Sequence, residues 1–166
     1  MSTRRRVLKT TLPLAAIGAL GSLVQLATAG TEPPRRRMPA LFIGHGSPMN
    51  AIADNEFSRF LRGWGDRFPR PRAILVVSAH WLTPGTTAVG VQARPRTLHD
   101  FGGFPQALFD MQYPAPGAPE FAREAASLVR RAQVQPTEDW GLDHGTWTVL
   151  HHVYPAADVP VFQLSI

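Results

Sequence analysis

The stretch AILVVSAHW, Ala73 to Trp81, decides how this chain is read. Five apolar residues run without interruption before Ser78, Ala79, His80 and Trp81. A run that apolar, with no alternation, predicts a strand covered on both faces, the habit of parallel sheets. Ligands of open parallel sheets gather at the carboxyl ends of the strands. An imidazole at that end is therefore a candidate working group on a rigid, buried mount.

Upstream, MPALFIGHG (Met38 to Gly46) predicts a second buried strand that ends in Gly44-His45-Gly46. Between the two, Phe57, Phe60, Leu61, Trp64 and Phe68 recur at helical spacing. Asp54 or Asn55 is placed to cap that helix, and Pro69 and Pro71 to end it. Strand, amphipathic helix and strand make a parallel βαβ unit. TTAVGVQA (Thr86 to Ala93) predicts a further, weaker strand, and Arg94 to Pro116 a long Pro- and Gly-rich binding loop. Pro119 opens a second helix, with Phe121, Ala125, Leu128 and Ala132 on one face and Arg130 and Arg131 near its end. The second half of WGLDHGTWTVLHHVYP predicts another helix, and VPVFQLSI a last buried strand. The expected fold class is α/β, a mostly parallel or mixed sheet flanked by helices. No crossover helix follows the last strand, so the domain is expected to be incomplete at its C-terminus, with one sheet face uncovered.

The chain has 166 residues, room for one modest domain, and a formal charge of +5. Arg4, Arg5, Arg6 and Lys9 open the chain, and Arg35, Arg36 and Arg37 form a second run. Without residues 1–29 the balance is 13 basic against 12 acidic, so the basicity does not describe a folded surface and no nucleic-acid partner is expected. A charged start, an apolar middle containing Pro13, Gly18 and Gly21, and Ala27-Thr28-Ala29 read as a cleaved export signal over residues 1–29. Thr3 to Lys9 resembles the twin-arginine signal, which predicts export, periplasmic residence and only transient membrane contact. The alternative is an uncleaved anchoring helix. Residues 30–37 read as a linker, and the domain spans 38–166.

Cysteine is absent, so a metal would have to be held by imidazole and carboxylate. His45 and His80 both follow predicted strands, and on neighbouring strands their rings reach one ion. Each also reads as a structural histidine, and pattern alone leaves both readings open. His99 beside Asp100 and His144 beside Asp143 read either as proton shuttles or as surface residues. His151 and His152 are adjacent on a helix, cannot form an i, i+4 ligand pair, and read as structural. Phe101, Phe104 and Phe109 line a pocket or pin the loop. The Gly-x-Ser-x-Gly elbow, phosphate-binding glycine loops and His-Glu-x-x-His are all missing, which disfavours serine hydrolase, nucleotide and zinc-hydrolase readings.

Four blocks, MPALFIGHGSPMNAIADN, PRAILVVSAHW, LHDFGGFPQALFDMQYPAPG and WGLDHGTWTVLHHVYPAADVPVFQLSI, together resemble the class III (LigB-type) extradiol ring-cleavage dioxygenases, in the branch of DOPA 4,5-dioxygenases. The resemblance implies opening of a catechol ring by molecular oxygen at a non-haem Fe(II) or Zn(II) ion. It puts the metal histidines at His45 and His80 and the acid/base histidine at His144. His99 falls in the loop bordering the substrate pocket. It is thus a second catalytic candidate and, with Phe101 and Phe104, a candidate for substrate contact. Family members continue for roughly another hundred residues, about a half-domain. The remaining metal ligands are expected there, beyond Ile166. A truncated, non-catalytic LigB-like metal-binding protein is the alternative.

Overall fold

Four strands form one mixed sheet: β1 (Ile74–Val77), β2 (Thr87–Gly90), β3 (Val134–Thr137) and β4 (Val161–Leu164), in spatial order β1-β4-β2-β3. β1 runs parallel to β4, with Ile74 opposite Val161, and β2 runs parallel to β3, with Thr87 opposite Val134. β4 meets β2 antiparallel through Val89 and Leu164. The computed structural model describes residues 37–166, so the predicted leader and all but the last residue of the predicted linker lie outside the described residues. Met38–Ile166 forms one compact unit. Among the described residues no helix is long and apolar enough to cross a membrane.

Helices α1 (Glu56–Leu61), α2 (Gln106–Phe109), α3 (Pro119–Leu128) and α4 (His144–Val153) surround the sheet. Side chains alternate along a strand, and β4 uses both faces. Val161 enters a cluster with Leu108, Tyr113, Leu142, Trp147 and Leu150, whereas Phe162 joins Val89, Val91, Ala118 and Ala122. The first cluster seats α4 and the second seats α3. Burying each large apolar side chain contributes about 1.5–3 kcal/mol. Tyr113 is 1% exposed, and its hydroxyl donates to the Tyr154 carbonyl at 3.0 Å. Burial pushes its phenol pKa well above the ordinary value, so it remains a neutral donor.

Several sequence expectations change. β1 is a strand but is not covered on both faces, since Leu75 and Val77 are exposed at the sheet edge. The run from Met38 to Gly46 forms no strand: no neighbouring strand among the described residues supplies it with a ladder, and Phe42 is fully exposed. The βαβ unit expected there is absent. The parallel crossover runs instead from β2 through α3 to β3. The first helix stops at Leu61 because Gly63 turns left-handed, with φ 69°, leaving Phe60 exposed. Its cap is Asn55, which forms a capping box with Ser58, while Asp54 pairs with Arg59 and Arg62 at 2.6 and 2.8 Å. Helix α3 ends at Leu128, itself exposed, so Ala132, Arg130 and Arg131 lie beyond it and Ala122 is its most buried contact. Strand β3 is not among the strands expected from the sequence; it contains Pro136, whose missing N–H an edge position tolerates.

These placements separate two apolar residues of similar appearance in sequence. Leu108→Ala, at a site with 0% exposure, is expected to cost about 2–5 kcal/mol. Phe42→Ala is expected to change stability by less than about 0.5 kcal/mol in urea unfolding of the chain. Equal effects would contradict the packing described.

Candidate active site

Three histidines meet beside the N-terminus of α4. His45 Nε2 lies 2.8 Å from His80 Nε2, and one ring nitrogen of His144 joins them, all three within 4.8 Å of one another. Ring centroids of His80 and His144 are 4.0 Å apart, and those of His45 and His144 are 5.0 Å apart. His80 follows β1 after Ser78 and Ala79, and its main-chain N–H donates to Ser78 Oγ at 3.2 Å. His45 sits on an irregular segment rather than on a strand end. Its carbonyl accepts from Asn50 Nδ2 at 3.0 Å, at the 3-10 turn Pro48–Ala51. His144 is the first residue of α4 and is buried.

The Asp-His-Gly segment explains why the rings can approach so closely. Asp143, 0% exposed, caps α4 by accepting from the Thr146 N–H at 3.2 Å. Its main-chain N–H donates to Gln163 Oε1 at 2.8 Å, and its carboxylate accepts from Gln163 Nε2 at 2.7 Å, bolting the helix start to β4. Trp140 Nε1 adds a longer contact of 3.4 Å, and Trp140 stacks on Trp81 with centroids 5.5 Å apart. Gly145 supplies space: a Cβ there would stand 2.8 Å from His80 Cδ2 and 3.4 Å from His45 Cδ2.

Burial pushes the His45 imidazole below its ordinary pKa, and the neighbouring His144 and His80 add to the effect. A neutral ring with a free lone pair is what a cation requires. Three imidazoles with converging nitrogens, and no thiolate, fit a first-row divalent metal. Nδ1 of His45 is buried without a hydrogen-bond partner among the described residues.

His99 is not brought into this group. Its Nε2 lies 3.0 Å from the Met111 carbonyl, and its ring sits among Phe101, Phe109 and Trp147. Phe101 stands edge-on to His144 at 5.6 Å and to Phe104 at 5.4 Å, so it walls the histidine cluster. His152 Nε2 lies 2.7 Å from the Asn50 carbonyl, in keeping with a structural role, and the centroid of the neighbouring His151 ring is 5.2 Å from its own. Sequence adjacency pairs Asp100 with His99; the structure pairs it with His144. Asp100 Oδ1 accepts from the His144 main-chain N–H and Oδ2 from ring Nδ1, both at 2.9 Å. Burial raises the Asp100 carboxyl pKa, but the hydrogen bonds from His144 outweigh it and leave the group below the ordinary carboxylate range.

Residues 39–166 match the family described as the catalytic LigB subunit of aromatic ring-opening dioxygenase. The chain belongs to the LigB family. It is 54% identical over 131 residues to the 4,5-DOPA dioxygenase extradiol of Escherichia coli (strain K12), covering 78% of this chain and 48% of that relative. Against the Beta vulgaris protein of the same name it is 43% identical over 133 residues, 75% of this chain and 48% of the relative. The crystal structure of an uncharacterized Escherichia coli K12 protein superposes with a TM-score of 0.53 at 42% identity, over 68% of this chain and 41% of that one. The chain thus spans about half the length of the curated relatives it matches. These matches agree with the α/β class and the mixed, helix-flanked sheet read from the sequence.

Asp143→Ala would remove the α4 cap and strand the buried Gln163 amide. The expected loss is about 2–4 kcal/mol in chemical unfolding, the cap and the orphaned amide together. A loss under about 0.5 kcal/mol would contradict the anchoring described.

Proposed function

We propose that this chain serves extradiol cleavage of a DOPA-like catechol by molecular oxygen, with His45 and His80 holding a non-haem Fe(II) or Zn(II) ion and His144 acting as acid/base. The convergence of the three imidazoles carries this reading, and the names of the relatives supply its substrate class. Held by His45 and His80, an Fe(II) ion would supply the electron transfer that lets a catechol react with dioxygen despite their spin mismatch. Zinc has no redox chemistry, so Fe(II) is the ion for turnover and zinc a silent probe of binding.

The chain's own residues do the rest. Burial favours the neutral form of His45, and His80 stands 2.8 Å from it, nitrogen to nitrogen. His144 takes the proton from a catechol hydroxyl, breaking an O–H bond and forming an N–H bond, and returns a proton as the ring opens. Phe101 and Phe104 give the ring an apolar wall, and His99 packs against Phe101. The leader supports export by the twin-arginine route, and with it a periplasmic site of action. Transient membrane contact belongs to the same proposal.

Loading the full chain with Fe(II) under anaerobic conditions, then adding DOPA and air, is expected to produce the coloured semialdehyde. His80→Ala is expected to abolish it. A metal-loaded chain that forms no product from DOPA or simple catechols would overturn the catalytic reading in favour of a non-catalytic metal-binding protein.

Gly145→Ala separates helix propensity from the site. Alanine is a stronger helix former than glycine, yet here its Cβ would press on His80. Zinc affinity is expected to fall at least roughly tenfold, with far-UV circular dichroism unchanged. Undiminished affinity would show that the close approach of His80 to α4 is not required.

A further inference from the structure

We propose that Asp100 is the positioning residue for His144, gripping its main-chain N–H and its ring Nδ1 at once so that Nε2 alone is presented to the His45–His80 pair. The inference rests on the acid/base role proposed for His144. Both contacts are 2.9 Å, and the Asp100 side chain is only 20% exposed. A carboxylate accepts and does not donate, so the proton of a neutral His144 ring resides on Nδ1. Nε2 then keeps its lone pair for a substrate hydroxyl.

Two bonds from one carboxylate fix more than the tautomer. The main-chain contact fixes where Asp100 stands relative to the start of α4, and the ring contact fixes the rotation of the imidazole. When His144 gains the substrate proton, the same carboxylate stabilises the imidazolium, as in other carboxylate–histidine pairs. The grip also has a reach of 44 residues along the chain. It ties the Pro- and Gly-rich loop to α4, so that Phe101, the next residue, is set against the His144 ring. Asp143, although adjacent to His144 in sequence, is engaged with Gln163 and the helix cap and does not hold the ring.

The test uses the full chain without metal, at alkaline pH where imidazoles are neutral, with long-range nitrogen–proton correlation spectra of the histidine rings. Wild-type His144 is expected as the Nδ1–H form. In Asp100→Ala the ratio is expected to move at least roughly tenfold toward Nε2–H, the form free imidazole favours, since a charge-assisted bond is lost. Asp100→Asn, nearly isosteric, gives the same readout should the alanine variant fail to fold. Zinc affinity is expected to stay within about threefold of wild type, because His45 and His80 are untouched, while kcat of the iron-loaded chain falls roughly 100-fold or more at little-changed KM. Wild-type His144 in the Nε2–H form, or a ratio unmoved by both variants, would overturn the proposal. A wild-type chain that binds zinc but never turns over a catechol would sink the proposed function alone, and the tautomer ratio would still decide this one.

Discussion

The start of helix α4 is pinned to strand β4 by one buried carboxylate. Asp143 caps the helix and exchanges two hydrogen bonds with Gln163, both residues being almost wholly excluded from solvent. Everything chemically interesting is referenced to that joint. It sets the first helical residue, His144, beside the end of β1, where His80 emerges. It also puts Gly145, which has no side chain to obstruct them, next to both other imidazoles. A buried carboxylate is costly unless every acceptor site is answered. Here the Thr146 amide, the Gln163 amide and the Trp140 indole answer it.

The sheet has a matching logic. β4 is central and buried on both faces, with alternate residues serving two separate apolar clusters. That gives α4 a fixed floor and leaves α3 to cover the opposite side. β1, at the sheet edge, is only half covered: Leu75 and Val77 stay exposed while Ile74 and Val76 pack inward. His45 and His80 therefore stand near the sheet edge and only partly buried, whereas His144 beside them is buried.

Much of this was legible in the sequence. The apolar runs at Ala73–Val77 and Val159–Leu164 named two strands, Pro119 named a helix start, and the placing of His45 and His80 directly after apolar runs pointed to a shared role. Local signals failed wherever a partner distant in sequence decides the outcome. The run from Leu41 to Ile43 is as apolar as any strand, but a strand exists only with a neighbour to pair with, and pattern cannot supply one. Asp100 looked like the companion of His99 because adjacency is all a sequence displays; its real partner lies 44 positions away. Gly145 carries no chemistry of its own, and its value appears only when two imidazole rings are seen against its Cα. The Asp-His-Gly spelling was the available clue to both.

A crystal structure of the full chain grown with zinc, with anomalous scattering recorded at the zinc edge, tests the shared-cation claim most directly. The account predicts one strong anomalous peak per chain, about 2.0–2.1 Å from a ring nitrogen of both His45 and His80. A zinc ion held elsewhere, or bound by one of the two imidazoles with the other turned away, would contradict it.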